Sequence, residues 1–327
     1  MVTSTRILGN VKPDDEYMHP LGPEDNFNES MYFNFFDRAR KVGGFVRLGN
    51  RANEGRAEMT TTLYLPDGRV LFTFARPQIS HNDAFDAGGM RFDVEEPTQR
   101  LRTRFSGELL ELKDPRAMAD PRRAFSESPR KQVELDLVHE AVGPMYGGQA
   151  DREETERDAS QQFAKAHYEQ HMAVKGALTV DGERIPVDGF GLRDHSWGPR
   201  FWQAIHSYEW LTLNFGPDFG AMLSIIRRDP SSERIGGVVV RGDKLDAVER
   251  ARVTAEYEPN GLYHKRVAVE LDTAGGEHLD ITGEVVSFIP LRNRRDGMVT
   301  HIGEGMTEWR CGDRVGYGLS EFLRQVQ

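Results

Sequence analysis

The chain has 327 residues, of which 38% are hydrophobic and 29% are charged, and its formal net charge is −10. This composition is typical of a soluble globular protein, and the length favours two domains over one. The negative charge argues against nucleic-acid binding, which usually needs a basic surface. A single cysteine, Cys311, excludes an internal disulfide and a cysteine metal cluster.

Two absences bear on where the protein is expected to work. The N-terminus lacks the apolar core of a signal peptide. No run of the sequence approaches the ~18 apolar residues that a membrane span needs. The sequence therefore predicts a cytoplasmic protein without a membrane span, and it gives no indication of the oligomeric state.

The first half of the chain is expected to be rich in strands. Residues 1–30 are polar and rich in Pro, Asp and Asn, which predicts an irregular arm. Residues 31–37 are mostly apolar or aromatic and are expected to form a buried strand or short helix. Alternating segments on either side of the turn Pro66-Asp-Gly68 predict a hairpin. Residues 114–131, with three prolines and several charges, are predicted to be a surface loop.

The second half continues this pattern after a charged interruption. Residues 151–166 hold the densest charge run and are expected to be a solvated helix or an insertion. Strand-like segments then follow one another, and only the last few residues are predicted to be helical. Many short strands between turn signals predict an antiparallel all-β protein with little helix. At this length we expect two consecutive barrels or sandwiches, covering residues 1–190 and 191–327.

One stretch is unlike both a surface loop and a core strand: Gly189-Phe-Gly-Leu-Arg-Asp-His-Ser-Trp-Gly-Pro-Arg200. Asp194, His195 and Trp197 are costly to crowd together unless they bond to each other or to a ligand. Asp194 and His195 are the best acid/base candidates in the chain. On a strand they would point to opposite faces, so both reach one cavity only if the glycines bend the backbone. The alternative is that Asp194 pairs with a neighbouring arginine and Trp197 fills the core.

A metal site is a further possibility at three histidines. His167 and His171 are four residues apart and would share one face of a strand, where His195 could complete a three-histidine site. Such spacing is common, so ordinary polar strand faces are favoured and no metal is predicted. The glycine pairs match neither a dinucleotide fingerprint nor a phosphate loop, and Gly-x-Ser-x-Gly is absent. No nicotinamide, flavin or nucleotide cofactor is therefore expected.

The region around this stretch resembles the lipocalin-like AttH/carotenoid 1,2-hydratase (hydroxyneurosporene synthase) superfamily. The residues that carry the resemblance are Tyr168, Val187-Asp-Gly189, Asp194-His-Ser-Trp197, the aromatic strand from Tyr208 to Phe215, Glu304-Gly305 and the segment from Gly316 to Glu321. The resemblance implies two lipocalin-like β domains in tandem, with a cavity near the Asp-His-x-Trp box. Characterised members act on hydrophobic alkenes, and they include carotenoid and kievitone hydratases. Distant relatives catalyse pericyclic cyclisation.

Hydration of an isolated alkene begins with protonation, so it needs an acid that stays protonated, such as a carboxyl group in an apolar cavity. Asp194 is the first candidate, and its position in the box that resembles the hydratases agrees with this role. His195 would orient the acid or take a proton from the incoming water. The weaker acid candidates are Glu169, Glu304 and Glu321. The residues expected to bind the substrate are Tyr168, Glu169, Trp197, Arg200, Trp202, Tyr208 and Trp210, whose aromatic rings favour a cation.

The sequence thus predicts a cofactor-independent lyase (a hydratase or dehydratase) or isomerase that acts on a hydrophobic, isoprenoid- or polyketide-like alkene. Two other functions fit the same residues. One is a non-catalytic carrier of a hydrophobic small molecule, and the other is a pericyclase or cyclase. A buried acid at the cavity wall with a raised pKa would favour the enzyme, and an Asp194 held by an arginine would favour the carrier.

Overall fold

The computed structural model describes residues 7–149, 158, 162–295 and 297–326. Within these residues the chain forms a twelve-stranded sheet followed by a closed eight-stranded barrel. The prediction of an all-β protein with two consecutive, largely antiparallel units and little helix is confirmed. No helix in this part of the chain has the length and apolar character needed to cross a membrane.

The first unit contains twelve strands: β1 (Ile7–Gly9), β2 (Phe27–Asp37), β3 (Val42–Arg51), β4 (Arg56–Tyr64), β5 (Val70–Ala75), β6 (Phe85–Ala87), β7 (Met90–Glu96), β8 (Arg100–Leu112), β9 (Arg130–Ala141), β10 (Met145–Gln149), β11 (Ala166–Val180) and β12 (Glu183–Pro199). They pair in the order β1-β10-β11-β12-β2-β3-β4-β5-β8-β7-β6. Strand β9 pairs with both β8 and β11, so the middle of the sheet closes on itself. The predicted hairpin around Pro66-Asp-Gly68 is confirmed as β4 and β5.

The second unit is a barrel of eight strands, each paired with the next along the chain: β13 (Ser207–Gly216), β14 (Phe219–Arg227), β15 (Arg234–Arg241), β16 (Lys244–Tyr257), β17 (His264–Thr273), β18 (His278–Arg295), β19 (Met298–Cys311) and β20 (Arg314–Val326). Strand β20 pairs with both β19 and β13 and so closes the barrel. The predicted helical C-terminus is wrong, because the final residues gain hydrogen-bonding partners on two sides by extending this strand.

Two other segments differ from their predictions. The predicted surface loop at residues 114–131 contains a 3-10 turn (Pro115–Ala119) and the short helix α1 (Pro121–Glu127). Each begins with a proline, and each is capped by the aspartate that precedes it, Asp114 or Asp120. Most of the charge run at 151–166 lies outside the described residues.

The predicted arm at residues 1–30 is partly ordered structure. It contains β1, a 3-10 turn (Pro13–Glu16) and the first residues of β2. Glu16 and Glu29, two of its charged residues, are buried. The arm therefore contributes ionisable groups to the interior of the first unit.

Strand β12 runs through the segment where we expected the two units to divide. It continues to Pro199, and the first strand of the barrel begins at Ser207. The glycines in this segment serve a close strand pairing. A Cβ added at Gly191 would lie 1.8 Å from the backbone oxygen of Asn34 in β2, and one at Gly189 would lie 2.2 Å from that of Phe36.

Strand alternation determines what each face of β2 contacts, because neighbouring side chains point to opposite sides. Phe33 and Phe35 pack into the core of the first unit. Tyr32 and Phe36 point outward and pack in a cluster with barrel residues such as Met306. The outer face of the sheet is therefore covered by the barrel, and both faces of β2 are buried.

Candidate active site

A cavity of about 1170 Å³ lies between the outer face of the sheet and the barrel. Its walls include β2, β3, β4, β5, β10, β11 and β12 on the sheet side and β13, β14, β15, β18, β19 and β20 on the barrel side. Typical small-molecule sites measure about 300–1,000 Å³, so this cavity has room for a large ligand. Both units contribute carboxyl groups to this cavity.

The sheet wall carries a pair of carboxyl groups. Glu169 of β11 and Asp194 of β12 are direct neighbours across the two strands. Carboxylate oxygens of both lie within 4.8 Å of each other and of a ring nitrogen of His167. Glu169 Oε1 accepts a hydrogen bond of 2.8 Å from Trp210 Nε1, whereas its second oxygen has no partner within the described residues. Asp194 is half-buried and faces the cavity.

Burial controls the titration of this pair. It raises the pKa of Asp194, and the positive charges of nearby groups, His167 and Arg200 foremost, offset only part of the rise. Burial also raises the pKa of Glu169, and the neighbouring charge of Asp194 raises it further. Two adjacent carboxylates in a poorly solvated place cannot both ionise easily, so the pair holds a proton more tightly than an isolated carboxyl group does.

A second pair of carboxyl groups stands on the barrel wall. Glu304 of β19 and Glu321 of β20 are cross-strand neighbours, and both are buried. Burial raises the pKa of each to about 8. Glu321 accepts a hydrogen bond from the Tyr208 hydroxyl, and Glu304 Oε2 has no partner in the described part of the chain. Sequence reasoning ranked these residues as weaker candidates because a glutamate is more often solvated, and only the fold reveals their burial.

Aromatic side chains complete the walls. Trp202, Tyr208 and Trp210, all predicted to bind the substrate, line the cavity. The rings of Trp210 and Tyr32 meet edge to face with centroids 5.2 Å apart. Three more rings line the sheet side, those of Phe45, Phe72 and Phe74. The cavity thus combines aromatic surfaces with many charged and polar side chains.

Three of the predicted residues lie on the other side of β12. His195 points into the first unit, where Nδ1 is 3.0 Å from the Tyr168 hydroxyl and Nε2 is 3.0 Å from Glu29 Oε1. Trp197 stacks on the ring of His19 with centroids 3.9 Å apart. None of His195, Tyr168 and Trp197 lines the cavity. The glycines do not bend β12 enough to bring His195 beside Asp194, so the two acid/base candidates are separated by the strand itself.

On this inner side the ionisable groups form a closed network. Arg193 Nη1 donates to Glu16 Oε1 over 2.5 Å, and Arg193 Nε and Nη2 donate to Gln170 Oε1. Burial opposes ionisation of Glu16, but the charge and hydrogen bonds of Arg193 outweigh it and lower the Glu16 pKa. The pKa of Glu29 likewise falls to about 2, because hydrogen bonds from His19 and His195 outweigh its burial. Sequence reasoning missed Glu16, His19 and Glu29, since nothing in the polar N-terminal segment distinguishes them from solvated residues.

Comparison with known proteins agrees with this architecture. The profile of a family described as a domain of unknown function, DUF7064, matches residues 12–326. The chain belongs to the DUF7064 family. No curated protein matches its sequence significantly.

Solved structures show which fold this DUF7064 chain shares. A protein of Nitrosomonas europaea assigned as AttH has a TM-score of 0.62 and 15% identity, over 98% of this chain and 97% of that one. CghA has a TM-score of 0.54 and 11% identity, over 95% and 94% of the two chains. Kievitone hydratase from Nectria haematococca has a TM-score of 0.53 and 13% identity, over 98% and 96%. The resemblance to AttH-like hydratases is thus confirmed at the level of the fold.

Among the described residues of the DUF7064 chain, two groups have the residue types and spacing to hold a metal ion: His19, Glu29 and His195 on the inner side, and His167, Glu169 and Asp194 at the cavity. The three histidines considered from sequence do not come together. His171 Nε2 lies 3.3 Å from the backbone oxygen of Ala221 in the barrel, whereas His195 points into the first unit.

Proposed function

We propose that the chain is a hydro-lyase that adds water to, or removes it from, a carbon–carbon double bond of a hydrophobic substrate held in the cavity. The observation that carries this proposal is the pair Glu169–Asp194, two adjacent carboxyl groups with raised pKa values beside the aromatic walls of the cavity. A protonated carboxyl group in such surroundings is the acid that alkene hydration requires. The shared fold with a protein named kievitone hydratase supports the same reaction class.

In the proposed reaction Asp194 transfers its proton to one carbon of the double bond. The resulting carbocation lies among the aromatic rings of the cavity, whose faces stabilise positive charge. Water then attacks the cationic carbon and forms the new carbon–oxygen bond. The proton that this water loses returns to the Glu169–Asp194 pair, which restores the acid. In this scheme Glu169 takes the role of proton acceptor that sequence reasoning gave to His195.

Asp194 is preferred over the barrel carboxyls because of its exposure to the cavity. It is half-buried and accepts no hydrogen bond from the described residues, so its proton is available to a ligand. Glu321 is tied to the Tyr208 hydroxyl, and Glu304 is 5% exposed. Because their pKa values are about 8, these two residues give the barrel wall little charge at neutral pH.

The test is the variant Asp194→Asn, assayed with a panel of isoprenoid and prenylated aromatic alkenes in ¹⁸O-labelled water. We expect the wild type to incorporate the label and the variant to lose about 10²- to 10⁴-fold in kcat, the usual contribution of a general acid. Asp188→Asn is the matched control, because Asp188 lies on the same strand but is exposed. A folded Asp194→Asn protein that turns over substrate at the full rate would rule out this acid and favour a pericyclase.

A carrier function would leave a different signature in the same experiments. The size and apolar walls of the cavity would serve to hold a hydrophobic molecule without changing it. Native mass spectrometry of the purified protein would then detect one retained ligand, equally in the wild type and in Asp194→Asn, and no panel compound would gain the label.

A further inference from the structure

Two arginines, Arg47 of β3 and Arg200 just after β12, line the cavity beside Trp202. Their guanidinium carbons lie 5.8 and 5.4 Å from the centroid of the Trp202 ring. Two like charges are therefore held around one aromatic side chain. Such an arrangement costs free energy unless an anion compensates it.

Within the described part of the chain, Arg47 has only distant partners. Its nearest carboxylate is Glu58, at 3.9 Å, and its hydrogen bond to Asn28 Oδ1 is 3.5 Å long. Glu58 also faces Arg76 at 3.7 Å, so one carboxylate is shared between two guanidinium groups. These distances are too long for the bidentate pairing that neutralises a buried arginine well.

Arg200 is even less compensated. It is 7% exposed, its Nη2 donates to the Ser196 hydroxyl over 2.7 Å, and its Nε finds no partner in the described chain. Burial lowers the pKa of Arg200 to about 9, and the charge of Arg47 is the next contribution. The group therefore still carries its charge at neutral pH. A buried donor without a partner costs about 1–3 kcal/mol.

Other buried arginines of this chain show how these charges are satisfied elsewhere. Arg193, on the inner side of β12, has an ion pair with Glu16 and two hydrogen bonds to Gln170. Arg51, which follows Arg47 on β3, is paired with Glu54. Among the described residues, Arg47 and Arg200 differ from both in lacking a close ion pair, and they also differ in facing a cavity.

We propose that the cavity binds an amphipathic small molecule whose anionic group, a carboxylate or a phosphate, is held between Arg47 and Arg200. The rest of the ligand would extend along the aromatic wall formed by Phe45, Tyr32 and Trp210 toward Asp194. This inference rests on the proposed function for the fate of the ligand, but binding itself requires no turnover.

The two carboxyl groups on the barrel wall do not oppose such a ligand. Glu304 and Glu321 are mostly protonated at neutral pH because their pKa values are about 8. The planar guanidinium forks of arginine suit carboxylate and phosphate oxygens alike. The chain carries a net charge of −10, so the two uncompensated arginines are a local feature and do not reflect a generally basic surface.

The test measures binding of three probes that share one hydrophobic chain: oleate, oleyl phosphate and oleyl alcohol. Titrations followed by tryptophan fluorescence would compare the wild type with Arg200→Gln and Arg47→Gln. We expect each substitution to weaken binding of an anionic probe about tenfold to a hundredfold, the loss of a charge-assisted hydrogen bond, and to change oleyl alcohol binding less than threefold. The anion that binds more tightly identifies the headgroup.

Two control variants keep the outcomes separate. Arg102→Gln removes an arginine paired with Asp136 on the surface and should leave all three affinities unchanged. Asp194→Asn should still bind the anionic probes more tightly than oleyl alcohol, so a failure of the hydratase proposal would not affect this result. If one arginine variant fails to fold, the other still decides. Equal affinity of the wild type for the alcohol and the anions, or no binding of either anion, would overturn the proposal.

Discussion

Ionisable side chains on the two faces of β12 have opposite surroundings. On the inner face, Arg193 and His195 belong to a network in which cations meet Glu16 and Glu29, and the pKa values of these two glutamates are lowered. On the outer face, Asp194 lies beside the cavity and its pKa is raised. Asp194 lies between Arg193 and His195 in the sequence, but its side chain points to the other side of the strand, because successive side chains alternate.

The difference between the two faces distinguishes polar residues that stabilise the fold from those that can react with or bind a ligand. Ions that satisfy one another, as on the inner face, hold the N-terminal segment against the sheet. Groups that remain poorly compensated, as on the outer face, cost stability and are typical of functional sites. The following substitutions break one face at a time, in order of decreasing expected effect on stability.

The largest loss is expected from Glu16→Gln, which leaves the Arg193 charge buried without its anion. Removing one partner of a buried ion pair costs about 3–5 kcal/mol of the free energy of unfolding, measured by urea denaturation. The double variant Glu16→Gln, Arg193→Met should recover much of this loss because no unpaired charge remains. Glu127→Gln, which breaks the exposed pair with Arg123, should cost less than about 1 kcal/mol. Similar losses for Glu16 and Glu127 would contradict the comparison.

The cavity face should respond in the opposite direction to Glu304→Gln. The folded-state pKa of Glu304, about 8, lies above the unfolded value, so the folded protein binds the extra proton. Its contribution to stability is present below about pH 4.5 and is lost as the pH rises through 8. The glutamine variant should therefore be more stable than the wild type at pH 8, by about 1–3 kcal/mol, and should lose less stability between pH 5 and 8.

The inner face predicts the reverse dependence on acid. The pKa of Glu29 is about 2 in the folded protein, so its contribution is present above about pH 4.5 and is lost as the pH falls toward 2. Denaturation curves measured across the pH range would separate the two faces. Glu270→Gln, at an exposed position of β17, serves as the control. It should change the stability of the protein neither at acid pH nor at pH 8.

The smallest effect is expected from Trp197→Leu. The substitution removes the stacking of the indole on His19, which is worth about 1 kcal/mol. Because Trp197 does not line the cavity, binding of the oleyl probes should not change. A marked loss of binding in this variant would show that the inner face also contributes to the ligand site.

Much of the fold could be predicted from the sequence, because local alternation and turns encode it. The hairpin at Pro66-Asp-Gly68 follows from its turn residues, and the succession of short strands predicts two β units. The C-terminal segment was misjudged because its strand is imposed by pairing with β19 and β13, and no local signal carries that information.

By itself, the sequence determined that Gly189–Arg200 carries the most unusual chemistry of the chain and that Asp194 and His195 would diverge if the segment were a strand. Only the tertiary structure decided that the segment is a strand. It also decided that the barrel covers the face with Asp194 and that the first unit encloses the face with His195. It also brought Glu304 and Glu321 to the cavity from more than a hundred positions further along the chain. The physical reason is that burial and partners set a group's pKa, and both depend on segments far apart in the sequence.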